Sequence, residues 1–576
     1  MDWVERFPGR LEYELADFAR RGLAFRLDDE LLRRERRVVL RGEMAVEGEP
    51  GPIELVVVYP ASFPFFRPEV YAPDLELQRH QNPFERNLCL LDRSTRAWEP
   101  TETAAHLVAT QVPHLLRLVR VGGKQMRESE APQGEPVSFY FPPLAGTVVY
   151  IPDELLQLPP DQRAGVGRIR VGGTETPALR IRGLLQSVAV RARRGRTRRI
   201  ASASPELSRR FDGASIDFRW VRLERPPSTR NPDQLLATAD AVPDVAQARW
   251  QQVADGAIAV TGLVFEEEIE QGITGDAWLF VVAVRERPTP GGAPTGWYLT
   301  RGERLARTDL AARIPAMAPL AGKRVALIGA GALGAPIALE LVRAQVGELR
   351  ILDFDLVEAG TIVRWPYGLS AVAAPKAEFL AQVLPRDYPF TKIVPFNRML
   401  GGAPPVGEAG ERESDFDVLA RMFDGVDLVI DASAEIGVQQ FVAHLADERG
   451  IGQITVSATE GARGGVIARV MPSVTGCWHC LQRELDDGSI PVPPHDDMGT
   501  VQPRGCATRT FTGTAFDLLP IVAQAVRTAT TTLLDGRRGA DVFVCSLSGD
   551  DGAPQWTSHT LERREDCIGC GLADAA

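Results

Sequence analysis

The chain has 576 residues, 44% apolar and 24% charged, values that exclude a wholly disordered or fibrous protein and allow several domains. Its 65 basic residues stand against 76 acidic ones for a formal charge of −11, so charge gives no reason to expect a nucleic-acid partner. The first residues lack a basic-then-apolar signal pattern, and no uncharged apolar run reaches the roughly 18 residues of a membrane span. A soluble, cytoplasmic protein with no membrane partner is expected. Seven cysteines in such a chain argue against a disulfide framework.

In chain order, residues 1–130 open on an amphipathic segment (3–21). Two strand-like runs (37–46 and 53–59), a proline-punctuated loop and a helix-like stretch (103–119) follow. The loop holds Tyr59-Pro60, Phe63-Pro64, Arg67-Pro68, His80, Asn82, Cys89 and Trp98. Prolines at this density pin an extended path. A cysteine with no neighbouring histidine base is an odd protease but a plausible acyl carrier. Such a site needs a neutral donor such as Asn82 to steady an oxyanion. A plain buried cysteine under a proline loop fits the same residues.

Residues 131–305 carry short Val/Ile/Arg runs such as 167–171, the texture of a β-rich linker domain. Within it, 191–199 reads RARRGRTRR, a solvated loop or a docking patch for an acidic partner. From about 306 to 576 the texture turns to strand, glycine loop and helix. The expected fold class is thus multidomain, α/β and α+β.

A buried-strand run from Lys323 enters Gly329-Ala-Gly331-Ala-Leu-Gly334, followed by a helix-like stretch at 335–346. Gly329 and Gly331 suit close backbone approach to phosphate and Gly334 close helix packing. A second strand ends in Asp353, where a carboxylate can bind a ribose hydroxyl. A dehydrogenase would satisfy this much. Arg364 and Lys376 further on fit a triphosphate better than a nicotinamide dinucleotide, because they can meet charge that builds on a phosphate under attack.

Cys477-Trp-His-Cys480 and Cys567-Ile-Gly-Cys570 supply four thiolates in two knuckles, a structural tetrahedral zinc set. Cys506 lies between them, flanked by Arg504 and Arg509 in a Pro/Gly/Asp-rich loop before a helical stretch (516–534). Positive potential there favours a thiolate. Cys545, in an apolar run, reads as an ordinary buried cysteine.

The block from about 310 onward resembles the ThiF/MoeB and ubiquitin-activating superfamily of adenylating enzymes, on the segments LDFDLV, TIVRW and AAPK after the glycine loop and on the two C-x-x-C pairs. That resemblance implies ATP and Mg2+, ribose binding by Asp353, phosphate binding by Arg364 and Lys376, and acyl capture by a crossover-loop cysteine, Cys506. It also implies a homodimer, with Arg301 or Arg313 available to a partner's site. Two positions depart from the superfamily pattern. Thr361 stands where it has Asn, and Ala434 stands where it has the magnesium Asp, for which Asp431 or Glu435 is available as a substitute.

The first block resembles the ubiquitin-conjugating fold on the proline-rich stretch, on His80-Gln81-Asn82 for its HPN motif and on Cys89 for its nucleophile. Gln81 replaces the motif's proline. The combination resembles bacterial fusion proteins of CBASS anti-phage operons, which attach the C-terminus of a nucleotidyltransferase (CD-NTase) to lysine-bearing targets. The implied path runs from adenylate to Cys506, to Cys89, to a lysine amine. A ubiquitin-like protein as substrate, or a sulfur-carrier adenylating enzyme, are the alternatives.

Overall fold

The structure, a computed structural model, describes residues 3–77, 79–91, 97–121, 136–172, 179–191, 196–243, 245–253, 256–270, 273–286, 295–402, 413–502, 509–536, 539–548 and 552–571. The chain divides into two compact units, Met1–Leu305 and Ala306–Ala576.

The first unit opens on α1 (Trp3–Arg6) and α2 (Arg10–Arg20). The amphipathic run at 3–21 is split at Gly9, whose φ of +82° no helix accommodates. Then come β1 (Phe25–Leu27), α3 (Asp29–Glu35), β2 (Val39–Met44), β3 (Ile53–Val58) and β4 (Glu69–Tyr71), which form an antiparallel sheet in that strand order. Helix α4 (Ala104–Val121) starts at Thr103, whose Oγ1 accepts from the His106 amide at 3.1 Å, the side-chain cap that starts a helix. Glu14 of α2 is fully buried. It accepts from the Tyr59 hydroxyl (3.0 Å) and the Ala104 amide (2.8 Å) and pairs with Arg10 at 2.9 Å. Burial raises its pKa above the usual carboxylate value. One buried carboxyl thus ties α2 to the end of β3 and the start of α4.

The rest of this unit contains β5 (Val148–Ile151), β6 (Ala164–Val171), β7 (Arg182–Arg191), β8 (Thr197–Ser202), α5 (Pro205–Ser208), β9 (Ser215–Arg222) and α6 (Pro232–Asp240). It continues with β10 (Gln251–Val253), β11 (Gly256–Glu270), β12 (Ile273–Glu286) and β13 (Thr295–Arg304). Pairing runs β11-β12-β13-β5-β7-β6-β9, and β9 returns to pair with β11, so seven strands close into a barrel. Closure removes the free sheet edges. Alternation decides the two faces. Trp278, Phe280 and Val264 join Phe218 and Trp220 in one core. Their neighbours Leu279, Val281 and Phe265 pack with Leu235 and Ala239 of α6 and with Phe141 in a second one. The Arg-rich stretch expected as loop lies partly on the β7–β8 hairpin, with Arg198 and Arg199 exposed on β8.

The second unit runs α7 (Arg307–Ala311), β14 (Arg324–Ile328), α8 (Gly334–Arg343), β15 (Glu348–Leu352), α9 (Lys376–Asp387), β16 (Lys392–Phe396), α10 (Asp415–Phe423), β17 (Leu428–Asp431), α11 (Ile436–Glu448) and β18 (Gly452–Ala458). It then adds β19 (Gly464–Val470), α12 (Trp478–Asp486), β20 (Thr500–Val501), β21 (Thr510–Phe511), α13 (Ala515–Asp535), β22 (Val542–Ser546), β23 (Gln555–His559) and α14 (Ile568–Gly571). Its main sheet has the order β16-β15-β14-β17-β18-β19-β22-β23. The first five strands are parallel and the last three antiparallel. Helices cover both faces: Val325 and Leu327 of β14 enter one core, Ala326 and Ile328 the other. This is why β14 reads as an unbroken apolar run. Strand order reverses on either side of β14, which opens a crevice at the carboxyl ends of β14, β15 and β17. Among the described residues, no helix is long and apolar enough to cross a membrane.

Candidate functional site

The glycine loop occupies that crevice. Gly329 sits at φ +83°, and a Cβ there would lie 2.9 Å from the Ala432 backbone. At Gly334 a Cβ would lie 1.9 Å from the Gly329 carbonyl, so no side chain fits. Gly331, by contrast, borders open space, where a ligand can approach the backbone. Helix α8 begins at Gly334 without a side-chain cap.

Asp353, just past β15, is buried. Its Oδ2 accepts from the Ala330 amide at 2.6 Å and its Oδ1 from the Asp355 amide at 2.8 Å, which fixes the glycine loop against β15. Burial raises its pKa, partly offset by the Lys376 ammonium and the two amides. Lys376, at the first turn of α9, is 8% exposed and pairs with Asp355 at 2.8 Å. Asp355, whose side chain is half exposed, is the outward-facing carboxylate beside the buried Asp353, a role that no local sequence signal marks. Trp365 is likewise unmarked in the sequence: it is buried and donates from Nε1 to the Ala330 carbonyl at 2.8 Å.

Asp431 ends β17 beside Ile328 of β14. Its Oδ1 accepts from the Ser433 amide (2.9 Å) and hydroxyl (2.7 Å), while Oδ2 is buried without a hydrogen-bond partner. Burial pushes its pKa up to about 6. Ala434 contributes no ligand and holds φ at +60°; Glu435 precedes α11 without a side-chain cap bond and is exposed. Magnesium binds through one or two carboxylates plus phosphate oxygens, and the orphaned Oδ2 of Asp431 fits that minimal set.

Arg364 takes a different direction from its expected phosphate role. Its Nη1 donates to the Phe511 carbonyl (2.6 Å), its Nη2 to Thr510 Oγ1 (3.3 Å), and its guanidinium lies 4.4 Å from the Phe511 ring centroid. Burial lowers its pKa. It therefore anchors β21, which pairs with β20 through Thr500–Phe511 and Val501–Thr510. Cys506 lies between these two strands in sequence, outside the described residues.

Cys477, Cys480, Cys567 and Cys570 converge with every Sγ within 4.8 Å of the others. Three of the sulfur pairs lie at 3.5 Å (Cys477–Cys567), 3.6 Å (Cys480–Cys570) and 3.9 Å (Cys477–Cys480). A disulfide needs about 2.05 Å, whereas sulfurs around a tetrahedral zinc at about 2.3 Å stand roughly 3.8 Å apart. The donor set fits zinc. A Cβ on Gly569 would lie 2.8 Å from Cys477 Sγ, so the second knuckle requires that glycine. His479 instead faces Gln440, 3.5 Å away.

In the first unit, residues 80–82 run antiparallel to 87–89. Cys89 N donates to His80 O (2.8 Å), Gln81 bridges Leu88, and Asn82 N donates to Asn87 O (2.9 Å). Gln81, Asn82 and Leu88 are all buried. Cys89 is exposed. His80 holds φ at +62°. Gln81, where the conjugating motif has proline, accepts from the Leu77 amide (2.8 Å) and donates to the carbonyls of Leu75 (2.9 Å), Ala72 (3.1 Å) and Arg86 (3.3 Å). Its amide staples the loop that a proline would stiffen. Asn82 Oδ1 accepts from the amides of Phe84 (2.9 Å) and Glu85 (3.1 Å).

Residues 308–567 match the ThiF family. The uncharacterized protein y4oA of Sinorhizobium fredii is 31% identical over 99% of this chain and 98% of its own length. The adenylyltransferase and sulfurtransferase UBA4 of Yarrowia lipolytica is 28% identical over 31% of this chain and 39% of its own. Among solved structures, Escherichia coli MccB with ATP matches at 15% identity with a TM-score of 0.33, covering 45% of this chain and 69% of that one.

Proposed function

We propose that this chain, which belongs to one family with y4oA and carries a ThiF-family domain, is an ATP-dependent enzyme that activates the C-terminus of a protein and conjugates it to an amine. The observation that carries the reading is the crevice of the second unit, where the open backbone at Gly331, the buried Lys376 paired with the half-exposed Asp355 and the orphaned Asp431 oxygen lie on adjoining strand ends and loops. A carboxylate oxygen attacks the α-phosphate of ATP, pyrophosphate leaves, and Lys376 meets the charge that develops. Asp353 or Asp355 binds the ribose, and Asp431 would hold a Mg2+ ion, which would neutralise charge on the triphosphate. Arg364 orders β21 through Thr510 and Phe511.

Cys506 then captures the acyl group from the adenylate, and Cys89 accepts it by thioester exchange. A lysine amine attacks the Cys89 thioester while Asn82 steadies the oxyanion. The first block, residues 1–130, serves as a ubiquitin-conjugating-like domain; 131–305 is a linker domain and 306–576 the adenylating domain. The four cysteines at 477, 480, 567 and 570 hold a structural zinc. The substrate is a CD-NTase C-terminus in anti-phage defence, the setting is the cytoplasm, and the enzyme works as a homodimer. The test is ATP–pyrophosphate exchange dependent on a protein C-terminus, followed by a thiol-sensitive adduct on Cys89.

A second reading, activation of a sulfur carrier, is favoured by the match to UBA4, whose name joins adenylyl and sulfur transfer. It leaves the exposed Cys89 and its loop without a use.

A further inference from the structure

The loop that carries Asn82 is held from outside its own fold. Phe84 and Glu85 donate their backbone amides to Asn82 Oδ1, and the side chains of those same two residues are fixed on the barrel domain. The Phe84 ring meets Phe141 edge-on, with centroids 5.2 Å apart at 80°. The ring also meets Arg230, whose guanidinium carbon lies 4.6 Å from the ring centroid. Arg230, just before α6, also pairs with Glu85 at 3.0 Å. On the near side of the loop, Arg79 pairs with Glu268 of β11. Phe141 is 1% exposed and belongs to the core between the barrel's outer face and α6, so the Phe84 ring rests on a packed core.

We infer that the barrel positions the catalytic amide of Asn82 through Phe84, Glu85 and Arg230. The inference rests on the acyl-carrier reading of Cys89 and Asn82 proposed above. An asparagine amide presents an acceptor at one end and donors at the other. Two amides on Oδ1 turn the oxygen toward residues 84–85, and Nδ2 is left as the donor end for the thioester oxyanion. In that step the amine nitrogen bonds to the carbonyl carbon and the carbon–sulfur bond breaks. Cys89 leaves as thiolate, and the surplus proton on nitrogen passes to water. Exposed ion pairs hold little by themselves, so ring packing of Phe84 supplies most of the anchor and Arg230 sets its angle. Arg230, Phe84 and Glu85 are positioning residues, since none touches the acyl group.

The test uses the full chain, with Cys89 charged by a glycine-terminated peptide thioester of 2-mercaptoethanesulfonate. Cys89 thiolate displaces that small thiol, so no adenylation is needed. Discharge onto free lysine is followed by mass spectrometry, and hydrogen exchange is read at the amides of residues 84 and 85. Phe84→Ala and Arg230→Ala should both charge normally, exchange at least about tenfold faster at those amides and discharge about tenfold more slowly at saturating lysine. The half-saturating lysine concentration should stay unchanged. Arg230→Lys, which keeps the cation, should retain most of the rate. In an Asn82→Ala background, Arg230→Ala should cost nothing further, because its effect passes through that amide. Unchanged exchange and discharge in both variants would overturn the positioning role, as would full additivity with Asn82→Ala. Asn82→Ala discharging at the normal rate would instead sink the reading of Asn82 itself and, with it, the role given to the barrel.

Discussion

Replacing Asp431 by Asn isolates the ionisation of one carboxyl at the heart of the crevice. Asp431 is fully buried, with one oxygen served by Ser433 and the other by nothing. Burial lifts its pKa from 3.8 to about 6. A carboxyl shifted this far binds its proton more tightly in the folded chain by roughly 3 kcal/mol. The sign follows from which state holds more protons. Between about pH 4 and 6 the folded state holds the extra proton, so stability falls as pH rises. The contribution is complete below the unfolded value of 3.8 and lost above about 6. This is the reverse of a salt-bridged aspartate. Asn does not titrate, so any constant offset from its amide drops out of the slope. Urea unfolding of the second unit, without nucleotide or divalent cations, should show wild type losing roughly 3 kcal/mol relative to Asp431→Asn between about pH 4 and 7. Parallel profiles would refute the reasoning and mean that the carboxylate is solvated or paired.

Other outcomes follow from the same geometry. Freshly purified protein should contain one zinc per chain, and Cys480→Ser should lose it and lower the Tm, because metal binding is coupled to folding; elemental analysis reads the first and calorimetry the second. Lys376→Ala should cut ATP–pyrophosphate exchange by about 10²–10³ with the fold intact, and full activity would refute its phosphate role. Arg364→Ala should lower exchange and also speed hydrogen exchange at residues 510 and 511, since it holds both. Gln81→Ala should destabilise the first unit by about 1–3 kcal/mol, because it strands buried backbone groups; a denaturation midpoint equal to wild type would contradict the staple.

Much of the second unit is legible because its signals are local. An apolar strand run, glycines that steric contact forbids changing, and a carboxylate at the next strand end each arise within a few residues. Helix α13 likewise reads as a helical stretch over 516–534, and the structure adds the Thr514–Asp517 capping box at its start. The C-x-x-C pairs are legible as pairs, but only the sheet that brings β22 and β23 alongside β19 shows why residues 567–570 reach 477–480. What the sequence hides is long-range. The barrel closes through the β9–β11 pairing, which no local pattern encodes. The turn of Arg364 toward β21 and the grip of Trp365 on Ala330 depend on segments far apart in the chain. Gln81 reads as a lost proline until its four backbone partners are seen. Strand β4 is too short, and too hemmed by prolines, to read as a strand at all.

The most direct test is whether ATP drives an acyl group to Cys89. The full chain, a CD-NTase with its natural C-terminus, and ATP with Mg2+ should give, in non-reducing mass spectra, a thiol-sensitive adduct on the tryptic peptide of Cys89. That adduct should vanish in Lys376→Ala and in Cys506→Ala, and Cys89→Ala should pile the adduct up on Cys506. Steady pyrophosphate exchange with no adduct on Cys89 in any of these proteins would contradict the account. Normal loading of Cys89 in Cys506→Ala would keep the conjugation chemistry but remove the relay.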